Sequence, residues 1–155
     1  MIILKKSVPG LTKAALSRFT ARAAAASGVH GEVNVLITGN LEIQSLNRRF
    51  RGKDAATDVL SFPADSSMAK TWAGDIAISS QIAAVNGREL GHSAGEEIKI
   101  LILHGLLHLA GYDHERDHGA MAGKEARLRR RLKLPVGLIE RQNLNKRSSR
   151  ARGRQ

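Results

Sequence analysis

Apolar residues along this chain follow two periods, and each switch between them marks a new element. Ile2 to Leu4 reads as a short strand, and Pro9-Gly10 breaks it from an Ala-rich segment over about Leu11 to Ser27. Leu11, Ala15, Leu16, Phe19 and Ala23 recur there at helical spacing, with Lys13, Arg18 and Arg22 elsewhere, so the pattern predicts one amphipathic helix closed by Gly28. Glu32 to Thr38 alternates and is rich in β-branched residues, the mark of a strand, and Gly39-Asn40 ends it. Helical spacing returns through Leu41, Ile43, Leu46 and Phe50. After the polar loop Arg51 to Asp54, Thr57 to Phe62 predicts a strand stopped by Pro63, and Gly74 to Ser79 predicts another beyond a loop over Ala64 to Ala73. Ser79 or Ser80 is placed to cap a helix running to about Leu90. Two more helices are expected, over about Ala94 to Ala110 and Arg116 to Leu132, before Pro135 and Gly137 mark a boundary.

Helices interleaved with a few short strands predict a single α+β domain, with a small mixed sheet of about four strands packed by about five helices. At 155 residues and 42% hydrophobic, the chain has the material for one sizeable core. The domain is expected to cover 1–140. Residues 141–155, with almost nothing apolar after Leu144, are expected to be a basic, disordered tail. The longest apolar run, around Ile98 to Ala110, is broken by Lys99, His104 and His108, and the amino terminus is too short for a signal region. A soluble, cytoplasmic protein without membrane insertion is the expectation.

The formal charge of +11 is not spread evenly. Residues 1–123 carry 13 Lys and Arg against 12 Asp and Glu, whereas 124–155 carry 12 against 2. A basic end suits a polyanion such as RNA, because binding releases condensed counterions without needing base-specific contacts; Lys146, Arg147 and Arg150 are its candidate phosphate contacts. It would also suit an acidic membrane surface. Aromatic residues are only 3% of the chain, which argues against a base-stacking platform.

Cysteine is absent, so any transition metal must be held by imidazole and carboxylate. His104 and His108, four apart in a helical run, fall on one face with Cβ atoms roughly 5–6 Å apart, close enough for one cation to bridge. Gly111 can leave the helix in a left-handed conformation and carry His114 back to the same ion. Three imidazoles would leave a fourth position open, as in catalytic zinc sites. A lone histidine on an apolar face is usually a satisfied core or surface residue. Three of them amid Leu101, Ile102, Leu103, Leu106, Leu107 and Leu109 would be hard to satisfy without a metal. His118 competes with His114 for third place but reads as an exposed residue of the next helix, and His30 and His92 fall in loops.

Two resemblances meet in this stretch. The spacing resembles the metzincin pattern H-E-x-x-H-x-x-G-x-x-H, a zincin-like metal site on a helix, except that Gly105 stands where those peptidases carry their general base. Peptide hydrolysis is therefore disfavoured. More specifically, the run from His104 to His114 resembles the signature H-G-x-L-H-L-x-G-Y-D-H of the YbeY family of bacterial endoribonucleases and ribosomal RNA maturation factors. Leu46 to Arg51 with Thr57 to Pro63, and Gly74 to Ser79, look like two further blocks of that family, so the likeness covers roughly Leu41 to Met121. The compact loop between Pro63 and Gly74 and the basic C-terminal extension depart from it.

The resemblance implies an endoribonuclease with one zinc ion on His104, His108 and His114, nickel or another divalent metal being an alternative. It implies single-stranded ribosomal RNA as substrate, at the 3′ end of the small-subunit RNA, in ribosome maturation and quality control. The small subunit or its assembly factors would be partners. It also implies that Arg51 faces the metal cleft, where a planar guanidinium can hold two phosphate oxygens, although an exposed loop cation is the ordinary role of such a residue. Asp113 either orients a ligand histidine or caps the next helix, and Asp58 and Asp75 either line the cleft or serve turn geometry, the second being favoured for both. Two rival readings are a non-catalytic RNA-binding assembly factor with a structural zinc and, less favoured, a metallopeptidase.

Overall fold

A computed structural model describes residues 1–153 apart from Ser66, Met68, Ala69, Lys70 and Val136. The elements follow as β1 (Ile2–Leu4), α1 (Lys13–Ser27), β2 (Glu32–Thr38), α2 (Asn40–Arg51), β3 (Val59–Pro63), β4 (Trp72–Ser79), α3 (Ser80–Leu90), α4 (Ala94–Leu109), α5 (Ala120–Arg131) and α6 (Leu138–Arg152). This is a single α+β domain with the expected four-stranded mixed sheet and one helix more than the periodicity predicts.

Short polar side chains set the helix starts. Thr12 accepts from the Ala15 amide, so α1 begins at Lys13 and not at Leu11, and Ser79 accepts from Ile82 at the head of α3. Ser93 and Glu96 form a reciprocal capping box on α4. The sheet order is β1-β2-β4-β3, with β1, β2 and β4 parallel and β3 antiparallel at one edge. Alternation along the strands gives the sheet two apolar faces. Val33, Val35, Ile37, Ile76 and Ile78 join the main core with α1 and α4, while Ala77 and Leu60 join Ile43 of α2 in a smaller cluster.

Three expectations need correction. β4 begins at Trp72, two residues early, because Glu32 pairs with Trp72 and Ala64 donates to the Ala73 carbonyl; the rest of the expected 64–73 loop lies partly outside the described residues. α5 begins at Ala120 and not near Arg116. The Asp113 carbonyl accepts from Arg116 and Asp117, His118 and Gly119 then take φ of 55° and 93°, and Asp117 caps the new helix through the Gly119 and Met121 amides. Finally, the tail expected to be disordered is helical to Arg152. Its first turn is anchored: Leu138 and Ile139 are buried, and Arg141 pairs with Glu97 of α4 at 2.9 and 3.0 Å.

α4 is the beam that positions the rest. It packs on α1, α3, α5 and on β3 and β4, and every residue from Ile100 to Leu107 is buried.

Candidate metal centre

α4 supplies two histidines one turn apart, with ring centroids 4.8 Å and Nε2 atoms 3.1 Å from each other. After Leu109 the chain reverses at Gly111, whose φ of 99° lies in the left-handed region, and the Tyr112 amide returns to the Leu107 carbonyl. The reversal brings the His114 ring to 5.7 Å from His104 and 5.8 Å from His108. Candidate ligand atoms of all three lie within 4.8 Å of one another, and among the described residues no fourth His, Asp or Glu joins the group.

The surrounding hydrogen bonds decide which nitrogens are free. His104 Nδ1 lies 2.9 Å from the Glu125 carboxylate, and His108 Nδ1 lies 3.1 Å from the Tyr112 carbonyl. Both partners are acceptors, so each ring carries a proton on Nδ1 and, when neutral, presents a bare lone pair at Nε2. Two lone pairs facing each other at 3.1 Å repel unless a cation lies between or before them. Tetrahedral nitrogen ligands with bonds of about 2.0–2.1 Å stand roughly 3.3 Å apart, close to this spacing. His114 Nδ1 is buried and, among the described residues, has no hydrogen-bond partner. Burial pushes the His108 imidazole below the ordinary histidine value, and charge on His104 and His114 acts in the same direction, which keeps it neutral and ready to ligate. The three residues fit a divalent metal.

Gly105 explains why no glutamate follows His104. A Cβ there would lie 3.0 Å from Ile76 Cδ1 and from Ser61 Oγ, so a longer side chain would have to displace both strands' packing. The general-base position of the metzincin pattern is filled by the sheet.

A cleft of about 480 Å³ opens over the histidines, lined on its other side by Arg51, Ser61, Pro63 and Glu115 among others. Arg51 ends α2. Its Nη2 donates to the Ser61 carbonyl at 2.6 Å, and its guanidinium lies 5.8 Å from the Phe62 ring. Tethering engages one of five N–H groups and leaves the rest of an exposed guanidinium at the cleft.

The remaining candidates take other roles. Asp113 lines the cleft beside His114 but hydrogen-bonds to no ligand ring and does not cap α5; its Oδ1 accepts from the Glu115 amide and shapes the turn. Asp58 bonds the Val59 amide, and Asp75 accepts from Asn34 and Trp72, both away from the cleft. His118 and His30 are exposed and outside the cluster, while His92 packs 3.6 Å from the buried Glu97. Lys146, Arg147 and Arg150 share an exposed side of α6 and do not line the cleft. Sequence reasoning passed over Glu125, whose only signal is an acidic side chain at the buried helical spacing of Met121, Glu125 and Leu128.

The family model described as "Endoribonuclease YbeY" matches residues 3–133. A Koribacter versatilis protein named Endoribonuclease YbeY is 60% identical over 141 residues, covering 91% of each chain. Its namesake in Solibacter usitatus is 46% identical over 140 residues, 90% of this chain and 92% of that one. The solution structure of TM1509 from Thermotoga maritima superposes with a TM-score of 0.58 at 32% identity, covering 82% of this chain and 85% of that one.

Proposed function

This chain belongs to the endoribonuclease YbeY family and is thus a hydrolase of RNA phosphodiester bonds; from that premise we propose that it cuts single-stranded RNA at one zinc ion held by His104, His108 and His114. The observation that carries the proposal is the pair of facing Nε2 lone pairs beside a third imidazole, at the floor of a cleft that Arg51 enters.

When bound there, a divalent cation would supply Lewis acidity, lowering the pKa of water and offsetting charge on the phosphoryl oxygens. The chain's residues do the rest. The Glu125 carboxylate and the Tyr112 carbonyl hold the rings of His104 and His108 in one tautomer and one orientation. Arg51, positioned by the Ser61 carbonyl, offers its free N–H groups to two phosphate oxygens and steadies the charge that grows on them during in-line attack. Lys146, Arg147 and Arg150 attract the RNA backbone without reading sequence. The division of labour places hydrolysis in residues 1–140 and polyanion binding in 141–155.

By family, the substrate is ribosomal RNA, at the 3′ end of the small-subunit RNA, and the partners are the small subunit or its assembly factors in the cytoplasm. No helix among the described residues is long and apolar enough to cross a membrane. Cleavage of one RNA sequence, single-stranded or in a duplex, tests the core of the proposal. Single strands should be cut, a chelator should abolish cutting, and one equivalent of zinc should restore it. Undiminished cleavage after complete metal removal would end the metal reading, and restoration by nickel alone would change the ion. Cells lacking the protein should accumulate 3′-extended small-subunit RNA; correct 3′ ends would remove ribosomal RNA as substrate.

A further inference from the structure

The carboxylate of Glu125, on α5, is almost completely buried and accepts two hydrogen bonds from opposite sides. Oε2 takes the Nδ1 proton of His104 at 2.9 Å, and Oε1 takes the Ile139 amide at 2.8 Å, in the first turn of α6. The α6 cap residue is Gly137, which has no side chain to cap its own helix. Glu125 therefore caps α6 from a neighbouring helix, a negative charge at the positive end of the helix dipole. Gly137 is needed for this approach, because a Cβ there would lie 2.5 Å from Glu125 Oε1. Its φ of −71° and ψ of 169° suit any residue, so the requirement is space and not backbone conformation.

We propose that Glu125 is a positioning residue that couples the metal ligand His104 to the docking of α6, so that metal binding and attachment of the basic C-terminal helix strengthen each other. The inference rests on the metal reading through His104. Both donors require an oxygen, and only a carboxylate has two to give. Glutamine can satisfy one donor and turns an N–H group on the other, so either the imidazole or the helix start loses its partner.

Zinc affinity of the full chain, measured by competition with a chromogenic chelator, tests the coupling together with amide exchange at Ile139. Glu125→Gln should weaken zinc about 10–100-fold, the usual effect of losing a carboxylate behind a ligand histidine. Gly137→Ala, which touches no histidine, should weaken zinc in the same direction by displacing Glu125, and the double variant should be no weaker than Glu125→Gln alone. Zinc should also slow exchange of the Ile139 amide in the wild type and not in Glu125→Gln. Should Glu125→Gln fail to fold, the Gly137→Ala affinity and the wild-type exchange decide alone. Wild-type protein that binds zinc while both variants bind it within twofold of wild type, or zinc that leaves Ile139 exchange unchanged, overturns the coupling only. Wild-type protein that binds no zinc overturns the metal reading as well.

Discussion

Helices α4 and α6 differ by one residue in length, sixteen against fifteen, and are built on opposite principles. α4 is surrounded: eight consecutive residues from Ile100 to Leu107 have no appreciable contact with solvent, so its rotation and height are fixed by packing on all sides. α6 has no apolar face. After its first turn, held by Arg129–Glu140 and Arg141–Glu97, Asn143 to Arg152 are exposed and depend on weak intrinsic helix propensity. The chemistry follows the packing. On the proposed reading, ligation needs sub-ångström placement of imidazoles and draws on α4 and the turn after it, whereas attraction of a phosphate backbone needs only charge at roughly a Debye length and can be left to α6.

Substitutions that reach into α4 should therefore act sharply, and those on α6 gradually. His108→Ala should lose metal and RNA cleavage together, with activity down at least roughly 10³-fold, or about 4 kcal/mol of transition-state stabilisation. Metal analysis and a cleavage assay check it, and retained cleavage without metal would break the comparison. Arg51→Ala should keep the metal and lose about 10²-fold in kcat, because it removes a charge from the cleft and not a ligand. Full activity would take Arg51 out of the site. Gly105→Glu restores the metzincin letter but should lower stability by about 2–3 kcal/mol through overpacking against Ile76 and Ser61, without creating peptidase activity. A thermal melt and a casein assay check the two outcomes, and casein cleavage by the wild type that disappears in His108→Ala would revive the peptidase reading.

On α6, replacing Lys146, Arg147 and Arg150 together with alanine should leave metal content and folding intact. RNA binding should weaken, and the slope of log affinity against log salt should shrink by up to about 2, at roughly 0.7 per phosphate contact. An unchanged slope would show that the helix is idle. The smallest expected effect is one of pH. The folded His108 titrates below its ordinary value of about 6.5, so the unfolded chain binds more protons as pH drops through that value. Stability of the metal-free protein is present above that pH and declines below it, which melting temperatures between pH 8 and 5.5 would show. His108→Ala should flatten that decline, and an unaltered profile would assign it to other groups.

The same contrast decides what could be read from the sequence. His104, His108, Gly111 and His114 were legible because their geometry is local: an i, i+4 pair and a glycine turn settle it within eleven residues. The alternation in β2 and the Ser79 cap of α3 were legible for the same reason. α6 was not, because its order comes from Glu97, 44 positions from Arg141, and from Glu125. No local pattern announces a helix start that is capped by another helix. Glu125 escaped notice likewise, since its value depends on how α5 crosses α4. The late start of α5 reflects two successive left-handed residues, one of them the non-glycine His118.

Catalysis as proposed requires a cation held by three imidazoles with one position not taken by protein. X-ray absorption at the zinc edge of the zinc-loaded chain reads that coordination. Three imidazole nitrogens at about 2.0–2.1 Å are expected, with a remaining light-atom contact that exchanges for a phosphate analogue. A fourth ligand from the protein, or a sphere with only two imidazoles and His114 outside it, would contradict it.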